Sequence, residues 1–314
     1  MMSILLLGTL STFFAEVFSG ASHLWFIDPW GLLVTLPLYL SHTLFLLNLA
    51  VKTGRTSLRQ LYYWGMLFGL YESWITKVLW AGYFDAEGPM FGTFLGVAWA
   101  EFLTLVLFWH PLMSFIIPIL TYEVLSGDFL PNHRRYLRKS RRKTLLIFLI
   151  LLIGASLQST NSKYDLATAL GSMAGSIAII CLINRIAKEK KLKSLELSNK
   201  GLILLAAYLT MLYASTFFLL LPERIPRGIV PWTPILFWYA LTLLLLKYSK
   251  PSFEKADAEG EVYGKGDFSK YMVTLLILTA VMCIFPPVSQ LIAITFVLSI
   301  IALSPIILIG TLLK

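Results

Sequence analysis

The stretch GLYESWITKVLWAGYF, residues 69–84, lies inside a long apolar run yet carries two charged side chains, Glu72 and Lys77. A charge near the centre of a bilayer costs roughly 2.5–3.5 kcal/mol on insertion scales, so such residues usually face protein or a wet cavity. This stretch therefore predicts a bundle of membrane helices that encloses a few ionisable groups.

The composition of the whole chain agrees with this prediction. Of 314 residues, 57% are hydrophobic and 14% are charged, and the mean hydropathy is +0.76. The net charge is +9, but Lys and Arg cluster beside apolar runs, where they determine topology, which argues against a nucleic-acid partner. We expect an all-α polytopic integral membrane protein, multi-pass in the cell membrane, with the lipid bilayer as its surroundings.

The apolar runs predict about ten transmembrane helices, because about 20 apolar residues are needed to cross a bilayer. The first run lacks the positive n-region of a secretory signal, so we interpret it as a retained helix. The ten predicted segments are 3–20, 31–51, 60–84, 91–113, 144–160, 166–185, 201–221, 233–248, 271–289 and 291–312.

The charges of the loops predict the orientation. The acidic loop 85–89 is predicted to lie outside, and residues 132–143, 249–270 and both termini in the cytoplasm. Only one net crossing between Asp85 and Arg134 satisfies these charges, so residues 112–126 are predicted to form a kinked extension or an interfacial segment at the cytoplasmic face. The basic loops that fix this orientation are 52–59, 132–143, 184–193 and 247–255.

The candidate site residues belong to the first four predicted helices. A rise of 1.5 Å per residue places His42, Glu72 and Glu101 about 15–18 Å below the outer boundary, near the midplane. Tyr39 shares a helix face with His42, and Thr76 shares one with Glu72. We therefore predict a substrate- or ion-binding site formed by Glu72, Glu101, His42, Thr76 and Tyr39.

Two further charges are predicted to pair with each other. The same count places Glu16 about 6 Å and Lys77 about 10 Å below the outer boundary, on two different helices. Lys77 is five residues from Glu72, about 140° around the helix, so those two are poor partners. The sequence predicts an ion pair between Glu16 and Lys77.

Glycine pairs indicate which faces pack closely. Gly65 and Gly69 form a GxxxG spacing that continues into the stripe of Glu72, and Gly92 and Gly96 form a second one. These features divide the chain into residues 1–126 with the ionisable groups, a basic loop at 127–143, and a largely apolar scaffold at 144–314.

No cofactor or metal site is predicted. Cys181 and Cys283 have no CxxC or Cys/His spacing, and His42, Glu72 and Glu101 have suitable ligand chemistry but no ligand spacing. HExxH, GxSxG and Walker A motifs are absent from the sequence. His110, which precedes Pro111, is interpreted as an interfacial hydrogen-bonding residue beside Glu123.

Three functions remain open from the sequence. The first is a secondary-transporter-like permease for a small molecule, because midplane carboxylates and a histidine can exchange protons as access alternates. The second is a membrane-embedded enzyme acting on a lipid or isoprenoid, with a glutamate as base and Lys77 or His110 steadying an anion. The third is a structural or assembly protein. Residues 132–143 are also a candidate for binding anionic lipid.

Overall fold

The computed structural model describes residues 1–84, 86–187, 190–251 and 260–313. These residues form helices and turns, with three isolated β-bridges and no β-strand among them. The predicted all-α fold is confirmed. The helices are α1 (Met2–Val17), α2 (Gly31–Lys52), α3 (Leu58–Gly69), α4 (Val78–Ala81), α5 (Trp99–Ser126), α6 (Arg141–Asn161), α7 (Leu166–Ile186), α8 (Asn199–Leu219), α9 (Trp232–Tyr248), α10 (Lys265–Ile284) and α11 (Pro286–Leu312).

The length and composition of the helices fit a multi-pass membrane protein. Seven helices in the described part of the chain are long and apolar enough to cross a membrane, namely α2, α5, α6, α7, α8, α10 and α11. The apolar helices α1 and α9 are shorter. About ten crossings agrees loosely with this set, and the main differences lie in the third and fourth predicted segments.

The third predicted segment is broken, so the single helix predicted at 60–84 is wrong. Helix α3 begins with a capping box between Ser57 and Gln60 and ends at Gly69, and a 3₁₀ turn follows at Leu70–Ser73. Lys77 then adopts a left-handed conformation with φ +56°, which ends the helical path before α4. Within a membrane, such non-helical backbone is tolerated only where protein or a wet cavity surrounds it.

The fourth predicted segment begins later than expected, so the helix start predicted at residue 91 is wrong. Gly92 and Gly96 have φ of +73° and +71° and lie outside any helix, so they form no helical GxxxG pair. Helix α5 begins at Trp99 and continues for 28 residues, through Pro111. Wide π-helical turns over Leu105–Ile116 accommodate that proline. Residues 112–126 thus extend this helix and add no further span, as predicted.

The described chain forms two compact units that interleave along the sequence. The first unit comprises Met1–Leu44, Ile117–Glu196 and the described part of Phe253–Leu298, and the second comprises the remaining described residues. The boundaries therefore do not follow the predicted division at residues 126 and 143. In the first unit α6 packs on α10 and α1 on α7, and in the second unit α3 packs on α5 and α9.

The contact between α3 and α5 depends on the Gly65/Gly69 pair, as the GxxxG spacing predicts. A Cβ atom on Gly65 would lie 2.4 Å from Cα of Pro111, and one on Gly69 would lie 2.9 Å from Cα of Val106. In α-helical register the carbonyl of Leu107 would bond to the amide of residue 111, which proline lacks. The hydroxyl of Tyr62, on α3, donates to this carbonyl at 2.7 Å.

Replacing Gly65 by alanine is expected to destabilise the protein by about 3 kcal/mol, at the upper end of overpacking costs because the clash is with backbone. Thermal unfolding in detergent measures this change. Gly310→Ala is the matched control, since a Cβ there meets nothing within 4 Å, and we expect a neutral or slightly stabilising effect. An equal loss in both variants, or none at Gly65, would contradict the close contact.

Candidate functional site

The centre of the candidate site is the carboxylate of Glu72, in the turn that follows α3. The side chain is buried. Its Oε1 accepts a hydrogen bond from Nε2 of His110 at 3.0 Å, and its Oε2 accepts one from the hydroxyl of Thr76. The structure therefore places Thr76 beside Glu72, and it adds His110, which the sequence interpretation had assigned to the membrane interface.

Helix α5 supplies two buried members of this cluster, His110 and Ser114. They are four residues apart, and Nδ1 of His110 lies 3.0 Å from Oγ of Ser114. Because Nε2 donates to Glu72, the neutral imidazole has Nδ1 as an acceptor for the Ser114 hydroxyl. A continuous row of hydrogen bonds joins Ser114, His110, Glu72 and Thr76.

Aromatic side chains and a glycine fix the position of the imidazole. The ring of His110 stacks on Phe68 at a centroid distance of 5.4 Å, and Tyr71 meets it edge-on at 5.0 Å. Gly69 lets α5 approach, since a Cβ atom there would lie 3.3 Å from Cβ of His110. The site is thus built by the close contact of α3 and α5.

Lys77 lies near this cluster in sequence but has a different role. Its ammonium group is fully buried and donates to the carbonyl oxygens of Thr216 at 2.8 Å, Ile75 at 3.3 Å, and Leu220. Thr216 and Leu220 lie at the carboxyl end of α8. The last carbonyls of a helix lack helical partners and carry partial negative charge, so Lys77 caps α8.

The predicted ion pair between Glu16 and Lys77 is therefore corrected. Glu16 accepts hydrogen bonds from the hydroxyls of Ser22 at 2.6 Å and Tyr39 at 2.5 Å, all within the first unit. In the described part of the chain, the hydrogen-bond partners of each of the two charged groups are neutral groups of its own unit. Tyr39, predicted as a substrate-binding residue, is a partner of Glu16.

His42 and Glu101 are both buried, and each bonds to a backbone group of its own unit. Nδ1 of His42 donates to the carbonyl of Leu38 at 2.8 Å, one turn earlier in α2. Oε1 of Glu101 accepts from the amide of Met90 at 2.7 Å. Because α5 begins at Trp99, Glu101 lies in the first turn of a helix and not ten residues into it, as a start at residue 91 would require. Whether His42, which belongs to the first unit, shares an interior with Glu72 stays a prediction.

A second buried carboxylate–imidazole pair lies in the first unit. Nδ1 of His133 donates to Oε1 of Glu123 at 2.9 Å, and the amide of Leu130 donates to the same oxygen at 3.0 Å. Neither Glu123 nor His133 has any exposed surface. The sequence interpretation placed Glu123 at the interface and did not single out His133, because a histidine in a basic loop has no helical spacing to an acidic partner.

The fold and the site define the class of protein. It is an all-α multi-pass membrane protein in which a broken helix holds a buried carboxylate against an imidazole. Residues 5–314 match a family described as "Uncharacterized membrane protein family", and the chain belongs to that family. It is similar to an "Uncharacterized protein" of Archaeoglobus fulgidus, with 33% identity over 267 residues, 82% of each chain. No solved structure matches the chain.

Proposed function

We propose that this protein is a secondary-transporter-like permease of the cell membrane, with both termini in the cytoplasm, that couples movement of a small molecule to protonation of Glu72 and His110. The observation that carries the proposal is the buried 3.0 Å contact between the Glu72 carboxylate and the His110 imidazole. The contact gives the carboxylate a neighbour that can both donate and accept a proton, so a proton can pass between the two side chains as access to the site alternates.

The break in the third segment supports the same proposal. Transporter sites are commonly formed by discontinuous membrane helices, whose freed backbone groups and mobile junctions surround the substrate. Here the break lies between Leu70 and Lys77, and it carries Glu72 and Thr76. A rearrangement of this short segment changes which groups surround the carboxylate without unfolding α3 or α5.

Infrared difference spectroscopy on the reconstituted protein tests whether Glu72 exchanges a proton. We expect a carboxyl band in the difference spectrum between two pH values, because the proposal requires Glu72 to gain and lose a proton. The band should disappear in Glu72→Gln and persist in Glu16→Gln, which removes a carboxylate of the other unit. A spectrum without a titrating band assigned to Glu72 would contradict the proposal.

Transport itself is tested in proteoliposomes loaded with a pH-sensitive dye. A panel of amino acids, sugars, nucleosides and organic cations is applied outside, and we expect at least one compound to drive proton movement only when the protein is present. Movement of that compound independent of the pH gradient would indicate a permease without proton coupling.

A second candidate function rests on the order of the polar groups. A hydroxyl, an imidazole and a carboxylate in a row, as in Ser114, His110 and Glu72, form the arrangement that activates a serine nucleophile. In this alternative the protein is a membrane-embedded hydrolase or acyltransferase acting on a lipid. Ser114 is fully buried, so a substrate would reach it only after neighbouring side chains or helices move.

Ser114→Ala separates the two functions. For a permease, the variant loses one neutral hydrogen bond, worth about 1 kcal/mol, and keeps the titrating band and most of the transport. For a hydrolase, the variant loses the nucleophile and all covalent labelling by a serine-directed fluorophosphonate. Labelling of the unmodified protein at Ser114 would favour the enzyme and contradict the permease.

A further inference from the structure

The basic loop 132–143 uses its two lysines to hold its own fold. Nζ of Lys139 contacts Glu261 at 2.6 Å and Asp267 at 3.0 Å, and these hydrogen bonds raise the pKa of Lys139 above its usual range. Nζ of Lys143 donates to the backbone carbonyls of Arg135, Tyr136 and Arg138 at 2.7–3.2 Å. Both lysines therefore stabilise the fold of the loop itself.

The backbone of this loop is also fixed by partners within the first unit. The amide of Tyr263 donates to the carbonyl of Leu137 at 3.0 Å, and the amide of Lys139 donates to the carbonyl of Glu261 at 2.9 Å. At the start of the loop, His133 is bound to the buried Glu123. The loop is an ordered platform, so a ligand bound to it has little ordering entropy to overcome.

The arginines of the loop and of the first turn of α6 point outward. All are exposed, and within the described ranges no carboxylate lies within 4.0 Å of any of them. Arg135 stacks on Tyr136 at 4.6 Å. A guanidinium group carries a planar fork of donors that fits phosphate oxygens. The exposed arginines are Arg134, Arg135, Arg138, Arg141 and Arg142.

Exposed apolar side chains begin within a turn of these arginines on the same helix. Leu145, Leu146, Phe148 and Leu149 in α6 are 47–60% exposed. In a membrane this surface contacts acyl chains, while the arginines lie at the level of the headgroups. The amino end of α6 adds the positive end of the helix dipole and has no acidic residue in its first turn.

We propose that this arginine platform, defined by Arg134, Arg135, Arg138, Arg141 and Arg142, binds anionic phospholipids of the inner leaflet through their phosphate groups. The acyl chains lie along the exposed apolar face of α6. The occupant is a lipid and not a free anion, because the cationic and apolar surfaces are adjacent on one helix. This site lies in the first unit and is independent of the proposed transport site.

Native mass spectrometry of the full chain in detergent tests this proposal with equal amounts of phosphatidylglycerol and phosphatidylcholine. We expect the protein to bind phosphatidylglycerol in preference to phosphatidylcholine. In the Arg141→Gln/Arg142→Gln variant we expect this preference to fall at least about tenfold, because each basic residue near a headgroup contributes to binding. Lys193→Gln/Lys200→Gln removes two exposed cations outside the platform and should leave the preference unchanged.

Three readouts keep the outcome unambiguous. Arg141→Lys/Arg142→Lys keeps the charge, and we expect an intermediate preference because lysine lacks the planar fork. Impermeant labelling of Ser140→Cys from outside the cell should fail in every variant, which checks that topology is unchanged. An equal loss in the Lys193/Lys200 control, no loss in the arginine variant, or full thermal stabilisation by inorganic phosphate alone would overturn the proposal.

Discussion

Replacing Lys77 by methionine is expected to destabilise the protein by about 3 kcal/mol, the upper end of the range for hydrogen bonds made by a charged group. Methionine fills a similar volume but cannot donate, so the carbonyl of Leu220 at the end of α8 loses its charged donor and that of Thr216 keeps only the amide of Leu220. The left-handed turn at residue 77 also loses the contact that holds it. Thermal unfolding in detergent measures the loss, and Lys163→Met, at an exposed lysine, is the control.

A double-mutant cycle distinguishes this capping role from an ion pair. If Glu16 and Lys77 were paired, Glu16→Gln would recover much of the stability lost in Lys77→Met. Because each side chain has neutral partners in its own unit, we expect the two losses to add within about 0.5 kcal/mol. A coupling energy well above this value would restore the ion pair predicted from depth counting.

Added amines provide a second check on the Lys77 cap. Lys77→Ala leaves a cavity beside the carbonyls of Thr216 and Leu220, and a small alkylammonium ion can occupy it. We expect methylammonium to raise the unfolding temperature of Lys77→Ala more than that of the unmodified protein. Equal shifts would mean that the ammonium group is not what stabilises the end of α8.

The positions of most helices could be predicted because apolar length alone determines them. Helices α6 to α9 lie within a few residues of the predicted segments, since each is bounded by charged or turn-forming residues. The break before Lys77 could not be predicted in this way. Residues 70–81 contain no glycine or proline, and the break is stabilised by a contact with α8, more than 130 residues later in the chain.

The errors in the candidate site have related causes. Depth counting assumes an unbroken helix, and on that assumption it placed Lys77 at the level of Glu16 and placed Glu101 at the midplane. In the structure the third predicted segment is broken before α4, and α5 begins eight residues later than predicted. The GxxxG spacing was informative at Gly65, where it lies in a helix, and misleading at Gly92, where it lies in a loop. His110 was assigned to the interface because the predicted segment ends at residue 113, whereas the helix continues through Pro111 to Ser126.

Glu72→Gln is expected to abolish proton-coupled activity, by about 10²-fold or more, the usual scale for removing an acid–base group. Glutamine is nearly isosteric, and its carbonyl oxygen can accept from Nε2 of His110 while its amide faces the Thr76 hydroxyl. The pairing therefore survives, and we expect the unfolding free energy to change by only about 1 kcal/mol. Proton flux in proteoliposomes and thermal unfolding measure the two effects separately.

The controls for Glu72→Gln use carboxylates that the structure places elsewhere. Glu16→Gln alters a half-buried carboxylate that accepts from Ser22 and Tyr39 in the first unit, and we expect transport to persist. Glu101→Gln alters a buried carboxylate that accepts from the amide of Met90, and we expect transport to persist there as well. Transport in Glu72→Gln at the original rate would show that another group carries the proton. Loss of transport in all three variants would indicate that these carboxylates support the fold and not the chemistry. Selective loss at Glu72 is the result that the proposal requires, because among these three carboxylates it is the one bonded to an imidazole, which can accept its proton.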